Sequence, residues 1–324
     1  MTSHQVKSWF ASAIFVVLTN YALASKSQPI TANHNPDTTP ALIHKSTAPT
    51  LENIGNGTFF NIYPQPITLN KGYWEGDPYR AGGASRPSAG LVNNAYLSGD
   101  LDKDGIEEAV VLLWQSTGGS GNFIYLTVFT ELDGEASNTS VAAIGDRVQI
   151  RSARIDDQQI ILDVVQQGPN DAACCPSEKA SRNGSLINGE LQEGNPGIES
   201  LLSLADIANK EWQLVQFNRN EPLPESMQVT LQIEGNRIAG KGPCNRYFAG
   251  VEAGDRAGEI SIGRAGATRM ACPEPLMLLE QKYLKLLSGA TRYSFVMGDL
   301  ALSWQSENEY GTMIFKLAPR KSGD

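Results

Sequence analysis

The run Asp100-Leu101-Asp102-Lys103-Asp104-Gly105-Ile106-Glu107-Glu108 has residue types and spacing suited to holding a metal. Alternate acidic residues place several carboxylates on the inside of one tight turn, and Gly105 permits the reversal. Oxygen ligands at that spacing suit a hard cation, Ca²⁺ above all. The same residues also make a solvated Asp-Gly turn with no metal, and both readings stand. Sulfur offers a second chemistry. Cys174 and Cys175, followed by Pro176, could form a strained and reducible vicinal disulfide, bond other cysteines, or coordinate a soft metal. Two thiolates are too few for a closed zinc site, and no Cys-x-x-Cys at a helix start depresses a thiol pKa. With Cys244 and Cys272 the chain has four cysteines, which allow three full pairings.

Histidine gives the sharpest exclusion. His4, His34 and His44 all precede the segments with folding character. Ser-His-Asp and Cys-His catalysis are thereby removed, as is histidine-ligated zinc. Asp163, Glu178, Glu274 and Glu280 could pair as acid and base only if the fold set their separation, and Glu280 reads as a solvated or capping charge. No catalytic residue is assigned. The glycine-rich Thr117–Gly121 stretch lacks the Gly-Lys-Ser/Thr ending of a phosphate loop and reads as a hairpin turn. A net charge of −9 and a pI near 5.0 argue against a nucleic-acid or anionic-membrane partner, since both need a basic patch.

The elements that must position these residues are mostly strands. The fold class expected is mainly β (β-rich α+β) in two domains. The first, 56–194, has strand candidates at Ala95–Leu97, Ala109–Trp114, Phe123–Phe129, Arg147–Ile150, Ile160–Val165 and Ser185–Ile187. Asp133-Gly134 and Asn188-Gly189 mark turns between them. Asn195-Pro196-Gly197 opens a linker, 195–204. The second domain, 205–319, has candidates at Trp212–Phe217, Val229–Ile233, Ile238–Gly240, Glu259–Ile262, Tyr293–Met297, Leu300–Trp304 and Met313–Leu317, with Gly235-Asn236 and Gly298-Asp299 as hairpin turns. Leu276, Leu279, Tyr283, Leu286 and Leu287 recur at helical spacing, with Pro275 in the first turn and Gly289 at the stop. That stripe should pack on the concave face of an antiparallel sheet. Residues 320–324 are a tail.

Residues 1–24 read as a signal peptide. Lys7 precedes an apolar run from Trp9 to Leu18, and Ala22-Leu23-Ala24 is an A-x-A cleavage site. No cysteine precedes Cys174, so a lipid-modified cysteine at the cleavage site is not expected. Residues 25–55, rich in Ser, Thr, Pro and Asn, read as a disordered polar linker. The protein is therefore expected to be extracytoplasmic, in the periplasm or secreted, where disulfides persist. No later segment is long and apolar enough to cross a membrane.

Two resemblances sharpen this reading. The Asp-rich run does not fit an EF-hand, because Val111 stands where a bidentate Glu is needed and the flanks read as strands. It resembles instead the calcium loops between strands of FG-GAP-type repeats, which implies Asp100, Asp102, Asp104, the Ile106 carbonyl and Glu108 as ligands. Further on, Gly242-Pro243-Cys244-Asn245-Arg246-Tyr247 and Thr268-Arg269-Met270-Ala271-Cys272-Pro273, with Trp212-Gln213-Leu214 and Glu280…Tyr283, resemble the META (HslJ-like) family of bacterial secreted and envelope proteins. The resemblance implies an antiparallel META-type sheet or barrel with one packed helix, a Cys244–Cys272 disulfide, and a place in the envelope connected with stress tolerance. It implies no catalysis. Asn245, Arg246 and Arg269 could line a recognition surface, or Asn245 and Arg246 could hydrogen-bond the returning loop. Pro243 departs from the family pattern, where Gly commonly precedes the cysteine.

Three functions follow as expectations. The first is a non-enzymatic binding or stress-tolerance module contacting an envelope component, with a Ca²⁺ loop in its first domain. The second is a carboxylate-dependent extracytoplasmic hydrolase, which requires a cleft holding two close acidic groups with raised pKa. The third is a thiol-redox protein working through Cys174 and Cys175.

Overall fold

The computed structural model describes residues 47–319 apart from 133, 219, 220 and 225. The signal-peptide reading, most of the 25–55 linker, the three histidines and the 320–324 tail lie outside these residues. The described chain is mainly β, as expected, with a curled antiparallel sheet and few helices.

A five-stranded antiparallel meander comes first: Tyr73–Glu75, Ser88–Gly99, Glu108–Ser116, Phe123–Leu132 and Glu135–Asp146. Its central strand, Glu108–Ser116, is buried on both faces, which is why its sequence reads as an almost continuous apolar run. Val110 and Leu112 face one core with Ile160, Leu162 and Val164 from the next sheet. Ala109, Val111 and Leu113 face another, closed by Ile54, Phe59, Ile67 and Phe129. The Phe59 and Phe129 rings meet edge to face at 4.9 Å.

The second sheet begins with Gln149–Asp156, Gln159–Gln166 and Glu178–Ile187 and continues into the C-terminal strands. The joint is one parallel register pair, Val296 with Ile150. Beyond it the order is Ala290–Val296, Asp299–Gln305, Tyr310–Leu317, Glu211–Phe217, Thr230–Glu234, Arg237–Lys241, Arg246–Ala253 and Ile260–Ile262, antiparallel throughout. This part curls around its own core, including Trp212, Leu231, Ile238, Tyr283, Leu287 and Phe315. The helix Glu274–Ser288 lays Tyr283, Leu286 and Leu287 into that core.

Four local expectations are corrected. Within the stretch read as a polar linker to residue 55, Leu51–Ile54 form a helical turn capped by Thr50 Oγ1, which accepts from Asn53 N at 3.2 Å, and Ile54 is fully buried. Within 195–204, Gly197–Leu201 is a strand paired with Glu178–Ile187, and Leu202 enters the C-terminal core. The last tight turn is Met297-Gly298 rather than Gly298-Asp299, because Val296 pairs with Asp299. Both turn residues take positive φ (49° and 81°), as a two-residue hairpin of this hand requires. Arg246–Ala253, absent from the strand candidates, pairs with Arg237–Lys241.

Candidate functional site

The Asp-rich run is the loop of the hairpin joining Ser88–Gly99 to Glu108–Ser116, whose strands meet at the Gly99–Glu108 pair. Lys103 and Gly105 both take positive φ, which closes the loop on itself. Asp100 accepts from Lys103 N (2.7 Å) and Gly105 N (3.1 Å), Asp102 from Asp104 N (3.2 Å), and Asp104 from Ile106 N (2.7 Å). Carboxylate oxygens of Asp100, Asp102 and Glu108 lie within 4.8 Å of one another. Asp104 is not part of this group, so the fifth position of the loop contributes to its hydrogen bonding. The Ile106 side chain is exposed.

Glu108 sets this cluster apart from a surface turn. It begins the doubly buried strand on the Val110–Leu112 face, and only 1% of it is exposed. Its Oε2 accepts from Leu101 N at 2.8 Å, and Leu101 is itself buried in the inter-sheet core. Burial pushes its carboxyl pKa up, and Asp102, Asp104 and Asp100 push it further in the same direction. None of the three clustered carboxylates is ion-paired among the described residues. Their side chains could hold a hard cation, which would relieve that repulsion.

The C-terminal cysteine motifs meet around Glu280. Its Oε2 accepts from Cys244 N (3.0 Å) and Asn245 N (2.5 Å), and its Oε1 from Asn245 Nδ2 (2.8 Å). Asn245 Oδ1 then accepts from Thr268 Oγ1 (2.9 Å) and Met270 N (2.8 Å). Cys244 and Cys272 are disulfide-bonded across the same two loops. Glu280 is thus neither solvated nor a cap. It is a buried acceptor with three donors, and it fixes the Cys244 loop to the helix. Asn245, 6% exposed, is turned into this network and away from any recognition surface, whereas Arg246 and Arg269 are exposed. Pro243 disturbs nothing here, because no residue from 242 to 246 needs a positive φ. Beneath the loop the Tyr247 and Tyr283 hydroxyls bond at 2.6 Å, and burial raises both phenol pKa values.

Cys174 and Cys175 are bonded to each other. Cys174 is exposed and Cys175 buried, with Arg292 Nη1 3.3 Å from the Cys175 sulfur. Elsewhere, a cleft of about 590 Å³ lies between the end of the helix and Trp304–Tyr310, lined also by Asn218. Among the described residues Trp304 Nε1, buried there, has no hydrogen-bond partner. Neither the Asp-rich cluster nor the adjacent cystine lines that cleft.

The fold and loops therefore describe a β-rich protein whose C-terminal part is organised around a Cys-Asn loop, a returning Cys-Pro loop and one helix. The chain carries a META domain: residues 205–318 match the model of the META domain family. The match does not extend to the Asp-rich loop. A protein from Burkholderia xenovorans solved by NMR aligns at 22% identity, over 36% of this chain and 86% of that one, with a TM-score of 0.29. A second protein solved by NMR aligns at 19% identity over 36% of this chain and 95% of that one, with a TM-score of 0.30. No curated protein matches.

Proposed function

We propose that this is an extracytoplasmic META-domain protein of the cell envelope that acts by binding, in a stress-tolerance role, and is braced by Ca²⁺ in its N-terminal β part. The observation carrying the calcium element is the convergence of Asp100, Asp102 and the buried Glu108, with no cation ion-paired to them among the described residues. Two disulfides fit a compartment where such bonds persist. Asp100, Asp102 and Glu108 are the side chains that would hold the ion, with the Ile106 carbonyl as a further oxygen. The META domain contributes exposed Arg246 and Arg269 beside a loop whose polar groups are otherwise consumed internally, which suits them to meet an envelope partner.

A hydrolase reading would use the same raised carboxyl of Glu108, but the cleft beside Trp304 is lined by other residues. Thermal unfolding with calcium and with chelator tests the proposal. Saturating calcium should raise Tm, with a ligand at about 100 times its Kd adding about 2.7 kcal/mol, and Asp102→Ala should remove the shift. An identical Tm in both conditions contradicts the calcium element. Turnover in a broad hydrolase screen, abolished by Glu108→Gln, contradicts the binding role.

A further inference from the structure

The adjacent cystine is asymmetric, and the asymmetry has chemical direction. Cys174 is exposed, whereas Cys175 is 8% exposed and its sulfur accepts from Arg292 Nη1 at 3.3 Å. Arg292 belongs to the strand Ala290–Val296 of the META domain, and among the described residues its guanidinium is ion-paired with Glu259, at 3.6 Å. The loop carrying the pair is held independently of the sulfur–sulfur bond. The Asp171 carboxylate accepts from Gly168 N (2.8 Å), Ser177 N (2.7 Å) and Ser177 Oγ (2.7 Å), Arg147 Nη1 donates to Ala173 O at 3.0 Å, and Leu202 N donates to Ser177 O at 2.7 Å. Opening the disulfide would leave both cysteines in place.

We propose that Cys174–Cys175 is a thiol–disulfide exchange site, with Cys174 the sulfur attacked and Cys175 the leaving group stabilised by Arg292. The co-reactant is a dithiol. One of its thiolates attacks the Cys174 sulfur. A mixed disulfide forms, the Cys174–Cys175 bond breaks, and the electron pair leaves on Cys175 as a thiolate facing the guanidinium. The second thiol of the co-reactant, after losing its proton to water, attacks its own sulfur in the mixed disulfide. That step expels Cys174, which takes up a proton. The dithiol is oxidised to its disulfide and the protein is reduced by two electrons. A positive neighbour lowers the pKa of a thiol, and a lower-pKa thiol leaves faster. The site goes beyond the calcium-braced binding role and does not depend on it.

Reduction of the purified protein by dithiothreitol, followed by alkylation and mass spectrometry, tests the assignment, with Cys244–Cys272 as the internal reference. Cys174–Cys175 should open first, and Arg292→Gln should slow its opening several-fold, with Arg292→Lys restoring part of the rate and the Cys244–Cys272 rate unchanged. Limiting glutathione should be trapped on Cys174. Equal rates in wild type and Arg292→Gln, or glutathione trapped on Cys175, would overturn the proposal. Should Arg292→Gln fail to fold, the thiol pKa of Cys175 in Cys174→Ser decides, read by the pH dependence of alkylation. A value clearly below the ordinary thiol value of about 8.5 is expected, and one at or above it refutes the role of Arg292.

Discussion

Glu280 and Glu108 are both buried carboxylates, and they are opposites. Glu280 receives three hydrogen bonds from Cys244 and Asn245, so its charge is satisfied by donors. Replacing it with Gln keeps one oxygen for the two backbone N–H groups but sets an amide NH2 against Asn245 Nδ2, donor against donor, and leaves that donor unpaired. Glu280→Gln should destabilise the protein by about 2–4 kcal/mol, read as a lower urea midpoint, and an unchanged midpoint would contradict its role as the hub of the two loops. Among the described residues Glu108 accepts one hydrogen bond, from Leu101 N, and its pKa is raised by burial and by its acidic neighbours. An acid whose folded pKa lies above its unfolded one binds protons more readily when folded. Its contribution to stability is therefore fully present below the unfolded value and is lost as pH rises through the folded one. In chelator, Tm should rise as pH falls from 7 toward 5. Glu108→Gln should flatten that slope and raise Tm at pH 7, and calcium should suppress the slope in the wild type. A slope that is the same in Glu108→Gln would assign it to other groups.

At the scale of elements, the Cys244–Cys272 bond closes a 28-residue separation between two loops, one of which is also tied to the helix. In the chain-entropy account a loop of that length is worth about 3–4 kcal/mol. Changing both cysteines to Ala should lower stability by about that amount, whereas Cys174 and Cys175, one residue apart, close almost no loop, and their double Ala variant should unfold near the wild-type midpoint. Equal losses in the two variants would contradict the assignment. The helix itself was legible in the sequence, since Tyr283, Leu286 and Leu287 are its buried face and Pro275 its first turn. What its periodicity could not reveal was Glu280, because a charge on the helix gains its meaning from donors 35 and 36 residues away. The strand Arg246–Ala253 is hard to read in the sequence because its inward residues are Tyr247, Ala249 and Val251. Their neighbours Gly250 and Ala253 weaken the alternation that marks a strand. The helical turn Leu51–Ile54 is masked by its polar surroundings for a related reason: its burial of Ile54 depends on Phe59 and Phe129, the latter far along the chain.

At the scale of the whole molecule, the two β parts share one sheet through the Val296–Ile150 pair, flanked by Phe295 N donating to Gln149 Oε1 at 3.1 Å and Gly298 N to Ile150 O at 3.1 Å. Such long-range pairing is invisible to local pattern, which marks strands but not their neighbours. Near the joint, Asp206 is 2.6 Å from Lys179 Nζ and 3.8 Å from Arg151, with side chains largely out of water. Burial alone would raise its pKa, but the Lys179 hydrogen bond, the Ser203 amide and the two cations together lower it. The stability it contributes is present above the ordinary Asp value and lost as pH falls through the depressed one. Asp206→Asn should therefore lower stability at pH 7 by about 3 kcal/mol and blunt the loss of stability below pH of about 4. Equal acid sensitivity in wild type and variant would contradict this. A calcium ion braces the Asp-rich loop in the proposed function, and calorimetric titration of the chelator-treated protein with calcium reads that binding without an intermediary. Saturable one-site binding that Asp102→Ala and Glu108→Gln each abolish is expected. No heat of binding at millimolar calcium, or binding that survives both substitutions, would contradict it.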